Sequence, residues 1–335
     1  MADRSSYSVP RTAVDIVRDR LEQGPPAGLR LGSPQTAGRL TLLPVFDDGP
    51  GLEYVTFGEA QKNGTAEISE VDRHGVVSTL QVETNSKVPV LIIDGEILVG
   101  LKQNRVLNTT ILVPAKTTLR IPVSCVEAGR WRHTTSKASR ADYALSPKIR
   151  AMKRSSVTLS ARAFGTFVAD QGAVWRGVAN HLGDLGIHSD SQAYSDIESR
   201  RGSEIEGHLS QLQPEAGQSG VLAFVDGRPV AFDLFDRPST LARLWQGLIG
   251  SYIAESLIPR ASDRAVEVSA ALEWLRRAGT GEATRHRAVG LGESVSITGP
   301  AHDTSALVVD GVAVHIATGP AISSMMGQRS EMNVS

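Results

Sequence analysis

The chain has one cysteine, Cys125, in 335 residues. A lone thiol excludes an intramolecular disulfide and any metal cage built from several cysteines. No run approaches the roughly 18–20 apolar residues that span a bilayer, so no membrane partner is expected. Met1 to Pro10 is polar and lacks the apolar core of a signal peptide, which makes a cytoplasmic protein the expectation. Familiar catalytic signatures are missing too. There is no His-Glu-x-x-His, no Walker loop and no Gly-x-Ser-x-Gly elbow. Gly290, Gly292 and Gly299 do not form a GxGxxG after a strand, and the eight histidines are dispersed. No metal site and no cofactor is expected. Lysine is scarce, with 7 against 28 arginines. Arginine is the better planar binder of phosphate and carboxylate, but such a ratio also follows from genomic base composition. Placement therefore matters more than number.

What remains is an ordinary globular composition, 41% hydrophobic and 21% charged. Residues 1–36 read as an N-terminal extension, packed on the body or swapped onto a neighbouring copy. Its short helix, Pro10 to Gln23, carries Val14, Ile16, Val17 and Leu21 and stops at Gly24-Pro25-Pro26, ahead of a Gly/Pro linker. The spacing then predicts a main domain over 37–320 and a flexible tail over 321–335. In the first half, β-branched runs at Leu40–Phe46, Ala66–Val71, Val76–Glu83, Val88–Ile93, Arg105–Val113 and Thr117–Val126 predict strands, with a short helix over Leu52–Asn63. In the second half, three- and four-residue spacing predicts amphipathic helices over Phe164–Leu185, Leu241–Ile253 and Val268–Leu275. The class is α+β, with a largely antiparallel, hairpin-rich sheet half and helices packed on it. Asp94-Gly95, Asp226-Gly227 and Asp310-Gly311 each follow an apolar run, and Asp-Gly suits the positive φ of a tight hairpin. Three separate hairpins explain this, and a duplicated unit is the other reading.

Charge is unevenly placed. Gly129–Arg162 holds nine basic residues and one acid, Asp142, so it carries +8 and the remainder −9. Trp131 and Tyr143 lie among these cations, with Thr134, Thr135, Ser136 and Ser139. Guanidinium and hydroxyl groups beside an aromatic plane can hold a phosphate while a base stacks. The alternative is a solvated loop whose charges pair with acids elsewhere. Specific nucleic-acid binding is not expected, because the pI is about 6.7 and no recognised motif occurs.

Two polar runs complete the candidates. Gly95–Arg105 gathers Glu96, Lys102, Gln103, Asn104 and Arg105 near two glycines, with donors and acceptors suited to a base or sugar. Equally, Gln103 and Asn104 could satisfy backbone groups at a strand crossing. In Ile121–Trp131, Cys125 has no local base and reads as a buried structural thiol. Glu127 either pairs with Arg130 or serves as a general base.

The runs Leu98–Arg105 and Ile121–Trp131, with Asp170-Gln171-Gly172-Ala173-Val174-Trp175 as a weaker third element, resemble the ARPP domain, the "ARG and rhodanese-phosphatase-superfamily-associated protein" domain. The resemblance covers roughly residues 38–320. It implies association with ADP-ribosylglycohydrolases and phosphatase-like partners, and so a place around NAD or ADP-ribose metabolism. It brings no catalytic mechanism. The expectation is an ADP-ribose- or nucleotide-like anionic ligand recognised by Lys102, Gln103, Asn104 and Arg105, with Arg130, Trp131 and Arg132 at its phosphates and ring. If the protein is an enzyme, the reaction is hydrolytic and Glu96 or Glu127 is the general acid/base. The rival expectation is a non-catalytic scaffold or assembly subunit, and a homo-oligomer is left open.

Overall fold

A computed structural model describes residues 11–22, 28–72, 74–259 and 266–321. The first part of the linker expected over Gly24–Gly38, and the tail expected over 321–335 from residue 322 on, lie outside them; the rest of the expected linker carries the two short strands β1 and β2 named next. The chain opens with α1 (Ala13–Glu22), β1 (Arg30–Leu31), β2 (Gln35–Ala37), β3 (Leu40–Phe46), β4 (Val55–Thr56) and α2 (Phe57–Lys62). A strand-rich stretch follows: β5 (Ala66–Glu70), β6 (Thr79–Thr84), β7 (Val90–Ile92), β8 (Ile97–Val99), β9 (Arg105–Leu107), β10 (Ile111–Val113), β11 (Thr118–Cys125) and β12 (Ser139–Arg140). Three helices come next, α3 (Pro147–Phe164), α4 (Gln171–Asp184) and α5 (Asp196–Leu209). The chain ends in β13 (Gly220–Val225), β14 (Arg228–Phe235), α6 (Pro238–Ser256), α7 (Val268–Ala278), β15 (Glu282–Arg287), β16 (Glu293–Thr298), β17 (His302–Val309) and β18 (Val312–Pro320). The class is α+β and hairpin-rich, as the sequence predicts.

Alternation decides the layering. In β13, Val221, Ala223 and Val225 face one core with Leu241, Leu244, Leu248 and Ile249 of α6. Leu222 and Phe224 face the other, with Val17 and Leu21 of α1 and Ala271 and Leu275 of α7. Successive side chains point to opposite faces, so one strand serves two cores. The large antiparallel sheet, β1-β3-β13-β14-β18-β17-β16-β15 with β2 on β3, is thus covered by helices on both sides. The strand-rich stretch forms two smaller sheets, β10-β7-β4 and β12-β8-β9-β11-β6-β5, around a third core that includes Phe57, Ile68, Leu80, Leu98 and Ile121.

Two Asp-Gly pairs close hairpins, with Asp226 at φ 50° and Gly227 at 70°, and Asp310 at 49° and Gly311 at 78°. The third does not. β7 pairs with β10 and β4, whereas β8 pairs with β9 and β12, so Asp94-Gly95 passes the chain between sheets. The run read as one strand over Arg105–Val113 is likewise two. It breaks where Asn108 accepts the Ser124 hydroxyl and Thr110 bonds His315 Nδ1 at 2.7 Å, so side chains replace the ladder there.

Helix boundaries also differ. Gly165 at φ 66° caps α3, and α4 starts only after Asp170, whose carboxylate accepts the Ala173 amide at 2.9 Å. Phe164, Phe167 and Val168 therefore lie outside α4, and Phe164 is 80% exposed. α3 itself occupies the second half of the basic segment. Its buried stripe is Arg150, Lys153, Arg154, Val157, Thr158 and Ala161, so charged side chains take core positions.

Candidate functional site

The connection from β8 to β9 is a tight one. Gly100 and Leu101 sit at φ 101° and 51°, and this turn aims both carbonyls at one point. Arg130 fills it. Its Nε and Nη2 fork onto Glu127 Oε1 and Oε2 at 2.8 and 2.7 Å. Nη1 donates to Leu101 O at 2.9 Å and Arg132 O at 3.0 Å, and Nη2 donates to Gly100 O and Asn104 Oδ1, both at 3.1 Å. Glu127 Oε2 also accepts the Asn104 amide at 3.0 Å, and Gln103 Nε2 donates to Glu127 O at 2.9 Å. Asn104 Nδ2 reaches across to Ser195 Oγ at 3.1 Å.

Gln103, Asn104, Glu127 and Arg130 thus converge, and every nitrogen of Arg130 is engaged within the protein. A lysine there would keep the charge and lose the fork. Arg130→Lys is expected to cost about 1–3 kcal/mol in urea unfolding, because carbonyls of the turn lose their donors. An unchanged midpoint would show that the pair contributes little.

Beneath this lock lies Arg105, which is 0% exposed. Its Nη1 donates to Gln103 Oε1 at 3.1 Å, while Nε and Nη2 have no hydrogen-bond partner among the described residues. Burial lowers its pKa from the ordinary guanidinium value. Trp131, 47% exposed, covers it, with Arg105 Cζ 5.4 Å and Lys102 Nζ 5.5 Å from the indole centroid. Lys102 Nζ donates to His74 O, and its amide donates to Glu70 Oε1 at 3.2 Å. The half-exposed Val76 and Val77 follow His74 in the chain, and Val77 O lies 4.0 Å from Cys125 Sγ. Cys125 itself is buried and donates to Gln103 Oε1 at 3.0 Å; burial, opposed by Arg105, pushes its thiol up to about 11. It is a thiol at neutral pH, not a thiolate. Arg132 is exposed beside Trp131, and only its backbone joins the cluster.

Glu96 stands apart. Its Oε2 accepts the Ile93 amide at 3.1 Å and its Oε1 faces Arg140 Nε at 2.7 Å. Burial raises its pKa, and Arg140 opposes the rise.

The remaining cations of the basic segment mostly turn inward. Eight of the nine pair with acids from the rest of the chain. The deepest group joins three parts of the fold. Arg150 forks onto Asp233 at 3.1 and 2.9 Å, and His315 Nε2 and the Tyr252 hydroxyl reach the same carboxylate. Lys153 bonds Asp94 and the carbonyls of Leu107 and Asn108, at 2.7 and 3.0 Å for the last two. Burial pulls Lys153 down to about 8, against the pull of Asp94.

Next to the Arg130 lock, an open groove of about 660 Å³ runs between the β12 region and α5. One wall is Val99, Asn104 and Arg140 to Tyr143; the other is Ser195, just before α5, with Glu198, Ser199, Gly202, Ser203 and Glu206 of α5. The second set recurs at three- and four-residue spacing, so it is one face of the helix. Sequence reasoning missed this face, because nothing apolar marks it. The alternating Ser/Glu/Gly stripe was the available signal.

No helix among the described residues is long and apolar enough to cross a membrane, and no group of three His, Cys, Asp or Glu among them could hold a metal ion. A family comparison matches residues 28–318 to the ARG and Rhodanese-Phosphatase-superfamily-associated Protein domain. No curated protein and no solved structure matches the chain.

Proposed function

The chain belongs to the family of ARG and rhodanese-phosphatase-superfamily-associated protein domains, and from that premise we propose that it binds an ADP-ribose- or nucleotide-like anion beneath Trp131. The observation that carries this reading is Arg105, wholly buried under a half-exposed indole, with Nε and Nη2 unpartnered among the described residues. A buried guanidinium with unmet donors is costly, and a phosphate oxygen is the acceptor its fork suits. Lys102 adds a second positive charge at the same ring. Trp131 offers a plane for a base, and Arg132 stands outside it for a further phosphate. Gln103 orients Arg105; Asn104, Glu127 and Arg130 hold the turn that carries them. If ligand turnover occurs, the reaction is hydrolytic. Glu127 is committed to Arg130, and burial, opposed by Arg140, raises the Glu96 carboxyl above its ordinary value.

A non-catalytic scaffold is the rival, and Arg130 favours it, since all of that guanidinium is spent on holding a strand crossing. Thermal shift with ADP-ribose, ADP and NAD separates the two. A ligand at a hundred times its Kd adds about 2.7 kcal/mol to stability. Trp131→Ala should weaken binding roughly 5- to 150-fold, the worth of one stacked base. No shift with any of the three ligands refutes the binding reading.

A further inference from the structure

We infer that Glu70 selects a ribose-containing ligand at the Trp131 site, its Oε2 accepting a sugar hydroxyl while the adjoining phosphate sits on Arg105. This rests on an anion binding beneath Trp131 and adds a specificity-determining residue to that site. In β5, Ala66 and Ile68 face the third core, and the two-residue period puts Glu70 on the same inward face at the strand's end. Its Oε1 accepts the Lys102 amide at 3.2 Å, which ties the carboxylate to the turn that carries Gln103 and Asn104. Its Oε2 is buried and has no hydrogen-bond partner among the described residues.

The turn after β5 comes close to that oxygen without bonding it. Asp72 accepts the His74 and Gly75 amides, both at 2.8 Å, and brings Gly75 round at φ 73°. A Cβ on Gly75 would lie 3.1 Å from Glu70 Oε2 and 3.0 Å from Lys102 Cδ, so glycine is what lets the backbone pass. Lys102 Nζ in turn donates to His74 O. Two opposite needs therefore meet around Lys102. Arg105 has two donors without acceptors, and Glu70 has an acceptor without a donor. Lys102 Nζ and Arg105 Cζ lie 5.5 and 5.4 Å from the same indole centroid, and Glu70 is close enough to Arg105 to oppose the fall in its pKa.

Chemistry narrows the group that Glu70 receives. A carboxylate only accepts, so the ligand must bring a donor. A metal cation would face Lys102 and Arg105, and like charges disfavour it. The terminal phosphate of a nucleotide gives up its last proton at about pH 6, so above neutrality it has none to donate. A base amino group sits at the far end of the nucleotide, on the ring that stacks on Trp131. The donors that adjoin the phosphate are the ribose hydroxyls.

The test is isothermal titration of the intact chain at about pH 8 with ADP, 2′,3′-dideoxy-ADP and methyl phosphate, which has no sugar and, at that pH, no proton to donate. ADP should bind roughly 10- to 150-fold more tightly than dideoxy-ADP, the worth of one hydrogen bond to a charged group. In Glu70→Gln the side chain can keep an oxygen on the Lys102 amide and then turns its NH₂ towards the sugar. That variant should bring ADP close to the dideoxy-ADP level and should tighten methyl phosphate, because a negative charge leaves the neighbourhood of Arg105. The comparison of the two nucleotides on the parent chain needs no variant, so it decides even if Glu70→Gln fails to fold. Equal affinity of the parent for ADP and dideoxy-ADP overturns the inference. So does a ribose preference that survives in Glu70→Gln, or methyl phosphate weakened there as much as ADP. In each of those cases the parent still binds phosphate, and the anion site stands without Glu70. A parent chain that binds none of the three overturns both.

Discussion

Asp233→Asn is expected to destabilise the protein by about 3–5 kcal/mol, the usual result of breaking a buried ion pair. Asp233 is 1% exposed and its carboxylate receives two bonds from Arg150, one from His315 and one from Tyr252. Asparagine keeps the shape but turns one acceptor into a donor facing donors. Arg150, 2% exposed, is then a buried cation left with Asp94 at 3.6 Å. Burial opposes ionisation of Asp233, yet Arg150 and His315 outweigh it and hold the carboxyl well below the usual carboxylate range. The unfolded carboxyl takes up its proton near pH ~3.9; the folded one does not. The stabilisation is therefore fully present above that pH and is lost as pH falls towards the depressed folded value. Urea unfolding of both proteins should show a wide gap near neutrality that closes in acid. A gap that stays constant with pH would mean that shape, not charge, is responsible. Asp233→Leu combined with Arg150→Met should recover much of the loss, because the pair would leave together.

That network also marks the limit of what the sequence discloses. β3, α6 and α7 were legible because their apolar residues keep one period and have clear stops. α3 was not, since Arg150, Lys153 and Arg154 occupy the i, i+3 and i+4 positions that core leucines would take. Their register with Val157 and Ala161 was present in the sequence, but buried charges contradict the rule that finds helices. The +8 segment was visible as composition. Its partners, such as Asp233, Glu282 and Asp184, lie far along the chain, and pairing at that separation is a property of topology. Asp94 shows the same limit. Its dipeptide permits a hairpin, but its carboxylate is claimed by Lys153, and the turn crosses between sheets instead. For the site, Glu127 and Arg130 could be paired from their i, i+3 spacing alone. That Nε and Nη2 of Arg105 find no partner among the described residues and lie under Trp131 depends on elements the chain brings together only after folding.

Arg105→Met should move two readouts in opposite directions. Nε and Nη2 of Arg105 are buried without partners among the described residues, and an unmet buried donor costs about 1–3 kcal/mol, more when charged. Methionine approximates the length of the arginine stem, adapts to irregular space and carries no polar hydrogen. The losses are one bond to Gln103 Oε1, which keeps the Cys125 thiol at 3.0 Å, and a cation beneath Trp131 worth about 0.5–2 kcal/mol. Replacing a whole buried ion pair by apolar residues is commonly neutral or stabilising by about 1–4 kcal/mol, and no ion pair of Arg105 is broken here among the described residues. The variant should therefore melt at or above the parent temperature. Its affinity for ADP-ribose and for inorganic phosphate should fall about 100-fold or more, since two charge-assisted bonds of roughly 1.5–3 kcal/mol each disappear. Stability retained with binding lost identifies a side chain kept for its ligand at the expense of the fold. If Arg105→Met instead loses several kcal/mol of stability, the guanidinium is satisfied in the folded protein, and the anion site beneath Trp131 falls with it.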